Sequence, residues 1–185
     1  MYIAIEKRLT MIRDHLPGFH LLCLVAGGVL LYSIWGMEDM RTLKKIGSTL
    51  GNGAAIMGGV CLSYYCLREL FVKLKKANRL SELMGIRLRD ILSVLRLLHP
   101  IAGFLMGYLL FLHGAIMLHR AVVYPDSIIL FGILAALIFV VMLFLGIYIK
   151  KRIAYRLYHR YLAIALIAAY IGHLSLHFNV YTVLQ

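Results

Sequence analysis

Long uncharged, apolar stretches recur along this chain at about residues 15–37, 46–67, 97–119, 127–149 and 161–185, separated by short basic segments. A helix needs roughly 20 consecutive apolar residues to cross a hydrocarbon core. The pattern therefore predicts an all-α, polytopic membrane protein with five transmembrane helices, over about 19–36, 46–67, 97–119, 127–149 and 158–180. Residues 1–185 then form a single transmembrane domain. Its largest segment outside the bilayer is the basic stretch 68–96, too short for a flavin or nucleotide domain.

Local signals refine these boundaries. Residues 1–18 form a polar lead-in ending at His15-Leu16-Pro17-Gly18, a break before the first helix. Lys7, Arg8 and Arg13 ahead of an apolar run resemble a signal peptide, but Tyr32-Ser33-Ile34-Trp35-Gly36 lacks a small-x-small cleavage site, so the first span is expected to stay uncleaved. The second span holds Gly47, Gly51, Gly53, Gly58 and Gly59, which permit close approach by another helix or a flat ligand. From Ser81, a capping serine followed by Glu82 opens an amphipathic pattern of Leu83, Ile86, Ile91, Leu95 and Leu98 against Arg87, Asp90 and Arg96. It predicts an interfacial helix leading into the third span. Tyr124-Pro125-Asp126-Ser127 predicts a turn and a helix cap before the charge-free fourth span.

Composition supports the membrane reading, with 62% of the 185 residues hydrophobic. A formal net charge of +12 invites a nucleic-acid reading, but the basic residues sit beside spans and are better explained by the membrane. Segment 68–96 carries eight Lys/Arg and segment 150–160 carries five (Lys150, Lys151, Arg152, Arg156 and Arg160). The positive-inside rule places both in the cytoplasm of a cell with this chain in its inner (plasma) membrane, the amino terminus inside and the carboxyl terminus outside. Arg41, Lys44 and Lys45, in the first outer loop, run against that assignment. Cys23, Cys61 and Cys66 lie within or at the end of spans with no Cys-x-x-Cys-His, so they are expected to pack as small apolar side chains.

Histidine spacing brings in chemistry. His99 and His113 lie 14 residues apart in the third span, as do His159 and His173 in the fifth. In a helix, 14 steps return a side chain to within about 40° of its start and roughly 21 Å along the axis. Spans three and five run in the same direction, so His99 is expected opposite His159 and His113 opposite His173. That is a scaffold for a bundle around two stacked b haems, each iron held by two imidazoles. Gly132 and Gly146 in the fourth span share the 14-residue interval, as a flat porphyrin packed at two heights requires. Anionic propionates call for basic partners, Arg96, Arg156 and Arg160 at the inner pair, Arg120 and His119 at the outer. His177, one turn beyond His173, is a rival outer ligand, and the default for His15, His20 and His119 is a solvated helix-end histidine.

LHPIAGFLMGYLLFLH (98–113) and YHRYLAIALIAAYIGHLSLH (158–177) resemble the two haem helices of the ferric reductase-like transmembrane family, which includes NADPH oxidases and the haem subunit of bacterial methionine sulfoxide reductase systems. The resemblance covers about residues 95–180. It implies His99, His113, His159 and His173 as ligands of two haem b groups, and electron flow across the membrane. The expected function is a dihaem b-type cytochrome, the electron-transfer subunit of a larger oxidoreductase. Its expected partners are the lipid bilayer, a cytoplasmic flavin or iron-sulfur subunit, quinone, and an outer-face redox protein, with no nucleic acid. The alternative from the residues alone is a histidine-lined transporter of a soft or borderline metal ion. Against it, none of the eight Asp/Glu lies inside a span.

Overall fold

The computed structural model describes residues 16–37, 39–79, 81–119, 126–148 and 153–183. All regular structure among them is helical: α1 (Leu16–Trp35), α2 (Met40–Lys76), α3 (Glu82–His119), α4 (Asp126–Tyr148) and α5 (Ile153–Val183). Three helical segments are long and apolar enough to cross a membrane, Met40–Lys76, Glu82–His119 and Ser127–Gly146. In α1 the apolar stretch is shorter, Leu21–Trp35.

Helix ends follow capping chemistry more closely than hydropathy. At the start of α2, Asp39 accepts hydrogen bonds from the Arg41 backbone N–H (3.0 Å), a donor that a first helical turn leaves open, and from the Thr42 hydroxyl (2.5 Å). At its end, Asn78 adopts a left-handed φ of 50°, the Asn78 N–H reaches the Lys75 carbonyl and the Arg79 N–H reaches the Leu74 carbonyl. This is a Schellman stop, with asparagine in the place glycine usually takes. Ser81 caps α3 through the Met84 N–H (3.4 Å).

Three expectations change here. The basic stretch 68–96, expected as a cytoplasmic loop up to a helix at Ser81, is helical on both sides of a short break, because α2 continues to Lys76 and α3 begins at Glu82. Lys, Arg and Glu are good helix formers, so the helices run on past the apolar boundary. For the same reason α5 begins at Ile153, ahead of the span expected from 158, and takes in Arg156 as well as Arg160. The interfacial helix and the third span are one unbroken helix, with Pro100 inside it.

The chain divides into two compact units, Met1–Gly36 with Gly51–Leu109, and Met37–Leu50 with Leu110–Gln185. In the first, α1 buries only a narrow stripe, Cys23, Gly27 and Ile34, and exposes Leu21, Leu22, Leu24, Val25 and Val29. Gly27 is where the Tyr108 ring crosses α1, and an added Cβ would sit 2.9 Å from its Cε2. The second unit is built on the antiparallel pair α4 and α5. Gly172 lets Phe131 in closely, since a Cβ there would lie 2.9 Å from the ring.

Apolar side chains are exposed on a scale that water disfavours and lipid accepts. The hydroxyls on these helices are matched to such a setting. Ser33, Thr49, Ser63 and Ser175 each donate to the backbone carbonyl four residues back, satisfying the hydroxyl without solvent.

Candidate functional site: paired histidines

On α5, His159 and His173 face the same kind of surface twice. The His159 Nδ1–H donates to the Met142 carbonyl of α4 (3.0 Å), and the His173 Nδ1–H donates to the Ile128 carbonyl (3.3 Å). Both steps are 14 residues, in opposite directions along antiparallel helices, so one register serves both contacts.

Gly146 and Gly132 explain why those carbonyls are reachable. An α-helical side chain leans toward the amino terminus and covers the turn before it. A side chain longer than a methyl group at Gly146 would cover the Met142 carbonyl, and one at Gly132 the Ile128 carbonyl. With no side chain there, the imidazoles come down onto α4. A Cβ at Gly146 would lie 3.4 Å from His159 Cε1, and one at Gly132 would lie 3.7 Å from His173 Cε1. The two glycines thus act as seats for the histidine rings.

His113, near the end of α3, repeats the arrangement within the second unit. Its Nδ1–H donates to the Gly47 carbonyl (2.8 Å). A carbonyl only accepts, so all three imidazoles carry their proton on Nδ1 and their lone pair on Nε2. Metal-bound histidine has this orientation, with one nitrogen anchored and the other presented. His113 and His173 lie in the same unit, near enough for their charges to interact.

His99 belongs to the first unit and His159 to the second. The His99 ring tilts against Tyr64 with centroids 5.4 Å apart, and its carbonyl accepts the Cys61 thiol at 3.6 Å. Cys61, expected to pack as a small apolar side chain, also turns its S–H toward a carbonyl of α3. Neither this contact nor the ring contact of Tyr64 had a sequence signal. Gly132 and Gly146 did stand out, by sharing the 14-residue interval of the histidines, although that interval does not name the Met142 and Ile128 carbonyls as partners.

The remaining candidates separate by position. Arg160 is half-buried and Arg96 and Arg156 are exposed, as is His119 at the end of α3. Arg120 and His15 lie outside the described residues, and the same holds for the side chains of His177 and His20. Among the described residues no group of three or more His, Cys, Asp or Glu is placed to hold a metal ion. A bis-imidazole site needs two protein ligands only, whereas a site enclosing a bare ion draws on more. Compared with protein-family models, with curated proteins and with solved structures, the chain matches none.

Proposed function

We propose that this chain is a dihaem b-type membrane cytochrome, related to the ferric reductase-like transmembrane family, that carries electrons across a bilayer as a subunit of a larger oxidoreductase. In this reading α1 and α5 cross the membrane together with the three longer apolar segments. The observation that carries it is the duplicated seat on α4, which anchors His159 and His173 by Nδ1 in one register.

The residues fit the group. His113 and His173 would hold the outer iron, within the second unit. His99 and His159 would hold the inner one, a pairing that rests on the sequence interval. When bound, haem supplies a one-electron carrier, and two axial imidazoles leave no open position for oxygen or substrate. The carbonyls of Met142, Ile128 and Gly47 fix ring orientation and raise the basicity of Nε2. The 14-residue interval holds the two ligands of α5 roughly 21 Å apart, bringing one near each face of a core about 30 Å thick. Arg96, Arg156 and Arg160 would offset propionate charge at the inner level and Arg120 at the outer.

The amino terminus would lie in the cytoplasm, where the basic ends of α2, α3 and α5 offer a docking side for a flavin or iron-sulfur subunit. Quinone or an outer-face redox protein would complete the path. Replacing His173 with leucine tests the assignment. One of two haems is expected to be lost while the other keeps its spectrum, and a chain that retains both would reject His173 as a ligand.

A further inference from the structure

The first three turns of α2 carry a cationic face that the histidine sites do not use. Arg41, Lys44, Lys45, Ser48 and Thr49 line a shallow cleft of about 380 Å³, and all five are exposed. Their positions follow helical periodicity, which gathers them within about 140° of arc. Leu43 and Gly47, both buried, lie on the other side of the helix, roughly 150° away. The Gly47 carbonyl takes the His113 hydrogen bond on that buried side. The cleft therefore faces away from His113 and from anything His113 holds.

We propose that this cleft binds the phosphate of an anionic phospholipid. Depth identifies the partner as lipid. The uncharged stretch 46–67 starts one residue after Lys45, so the three cations stand at headgroup level and Ser48 and Thr49 one turn deeper. Lys and Arg at such a position lay their stems along the apolar surface and present the charge to phosphate. The hydroxyls divide the work. Thr49 donates to the Lys45 carbonyl, while Ser48 is the hydroxyl placed to donate to a phosphate or ester oxygen. A lipid ligand also accounts for three cations that loop-charge asymmetry leaves on the unfavoured side. The inference rests on α2 as a membrane helix and is independent of haem.

The test offers the full chain, purified in mild detergent, equal amounts of phosphatidylglycerol and phosphatidylcholine and counts retained lipids by native mass spectrometry. Wild type is expected to retain phosphatidylglycerol preferentially. Each of Arg41→Gln, Lys44→Gln and Lys45→Gln should weaken that retention about fivefold, and the triple variant should abolish the preference. Ser48→Ala should weaken it further than a change elsewhere on the exposed face. A triple variant Lys73→Gln, Lys75→Gln and Lys76→Gln removes the same charge from the other end of α2 and should keep the preference. Equal loss in both triple variants, or no preference in wild type, would overturn the proposal. Displacement of the lipid by excess inorganic phosphate would also overturn it, in favour of a soluble anion. The single variants alter exposed side chains only, so they decide the matter should a triple variant fail to fold.

Discussion

Replacing the glycine seats on α4 separates a designed ring contact from ordinary helix packing. At Gly132 a methyl group would stand 3.7 Å from His173 Cε1 and 3.9 Å from Nδ1, an ordinary van der Waals contact. Gly132→Ala should therefore keep the ring in place and gain up to roughly 1 kcal/mol of helix propensity. Gly132→Leu drives two further carbon shells into the imidazole. Overpacking costs about 1–3 kcal/mol, and losing the bond to the Ile128 carbonyl another ~0.5–1.5 kcal/mol. After the propensity gain, the anchored ring is disfavoured by about 0.5–3.5 kcal/mol. Gly146 is the tighter seat, with Cε1 of His159 at 3.4 Å, so Gly146→Ala should be the worse tolerated of the two alanines. The assay is haem-to-protein ratio and thermal unfolding in detergent for all four variants. Both alanine variants should keep two haems, and each leucine variant should lose one, a different one in each case. Leucine variants with both haems and unchanged unfolding would refute the idea that these glycines seat the ligands.

Other outcomes follow from the same geometry. Asp39 caps α2, and its carboxyl is held below the usual carboxylate range first by the Thr42 hydroxyl and then by the Arg41 N–H. Its folded pKa lies below the unfolded one, so its contribution is present above the unfolded value and is lost as pH falls through the folded one. Acid titration by circular dichroism should show wild type losing helix in that window, with Asp39→Asn showing less of that acid-dependent change. Cys61→Ala removes a weak S–H···O bond at 3.6 Å and should cost less than about 1 kcal/mol, leaving haem content unchanged; loss of the inner haem would make Cys61 a positioning residue. His113→Leu and His173→Leu should give the same one-haem spectrum, because they remove two ligands of one iron, and distinct spectra would break that pairing.

Much of this was legible in the chain, and the reasons for the rest are physical. The charge-free stretch 127–149 became α4 at Asp126–Tyr148, because a continuous apolar run and the Asp126-Ser127 signal leave little freedom. The ends of α2 and α3 were less legible. Hydropathy marks where lipid ends, whereas Lys73, Lys75 and Lys76 continue a helix that only Asn78 stops. The 14-residue interval located four histidines and two glycines. It did not say that Gly132 and Gly146 touch imidazole and bare carbonyls, which follows from the lean of helical side chains in an antiparallel register. Cys61 and Tyr64 at His99 were unreadable, since cysteine and tyrosine fill apolar space in many ways and only the register of α2 against α3 brings them to that ring.

The central claim is tested most directly by the haem content of the full chain, expressed with haem supplied, purified in detergent and measured by reduced-minus-oxidised spectra alongside low-temperature electron paramagnetic resonance. The account predicts two protohaems per chain, both low-spin with two imidazole ligands. A colourless chain, or a single high-spin haem with an open axial position, would contradict it.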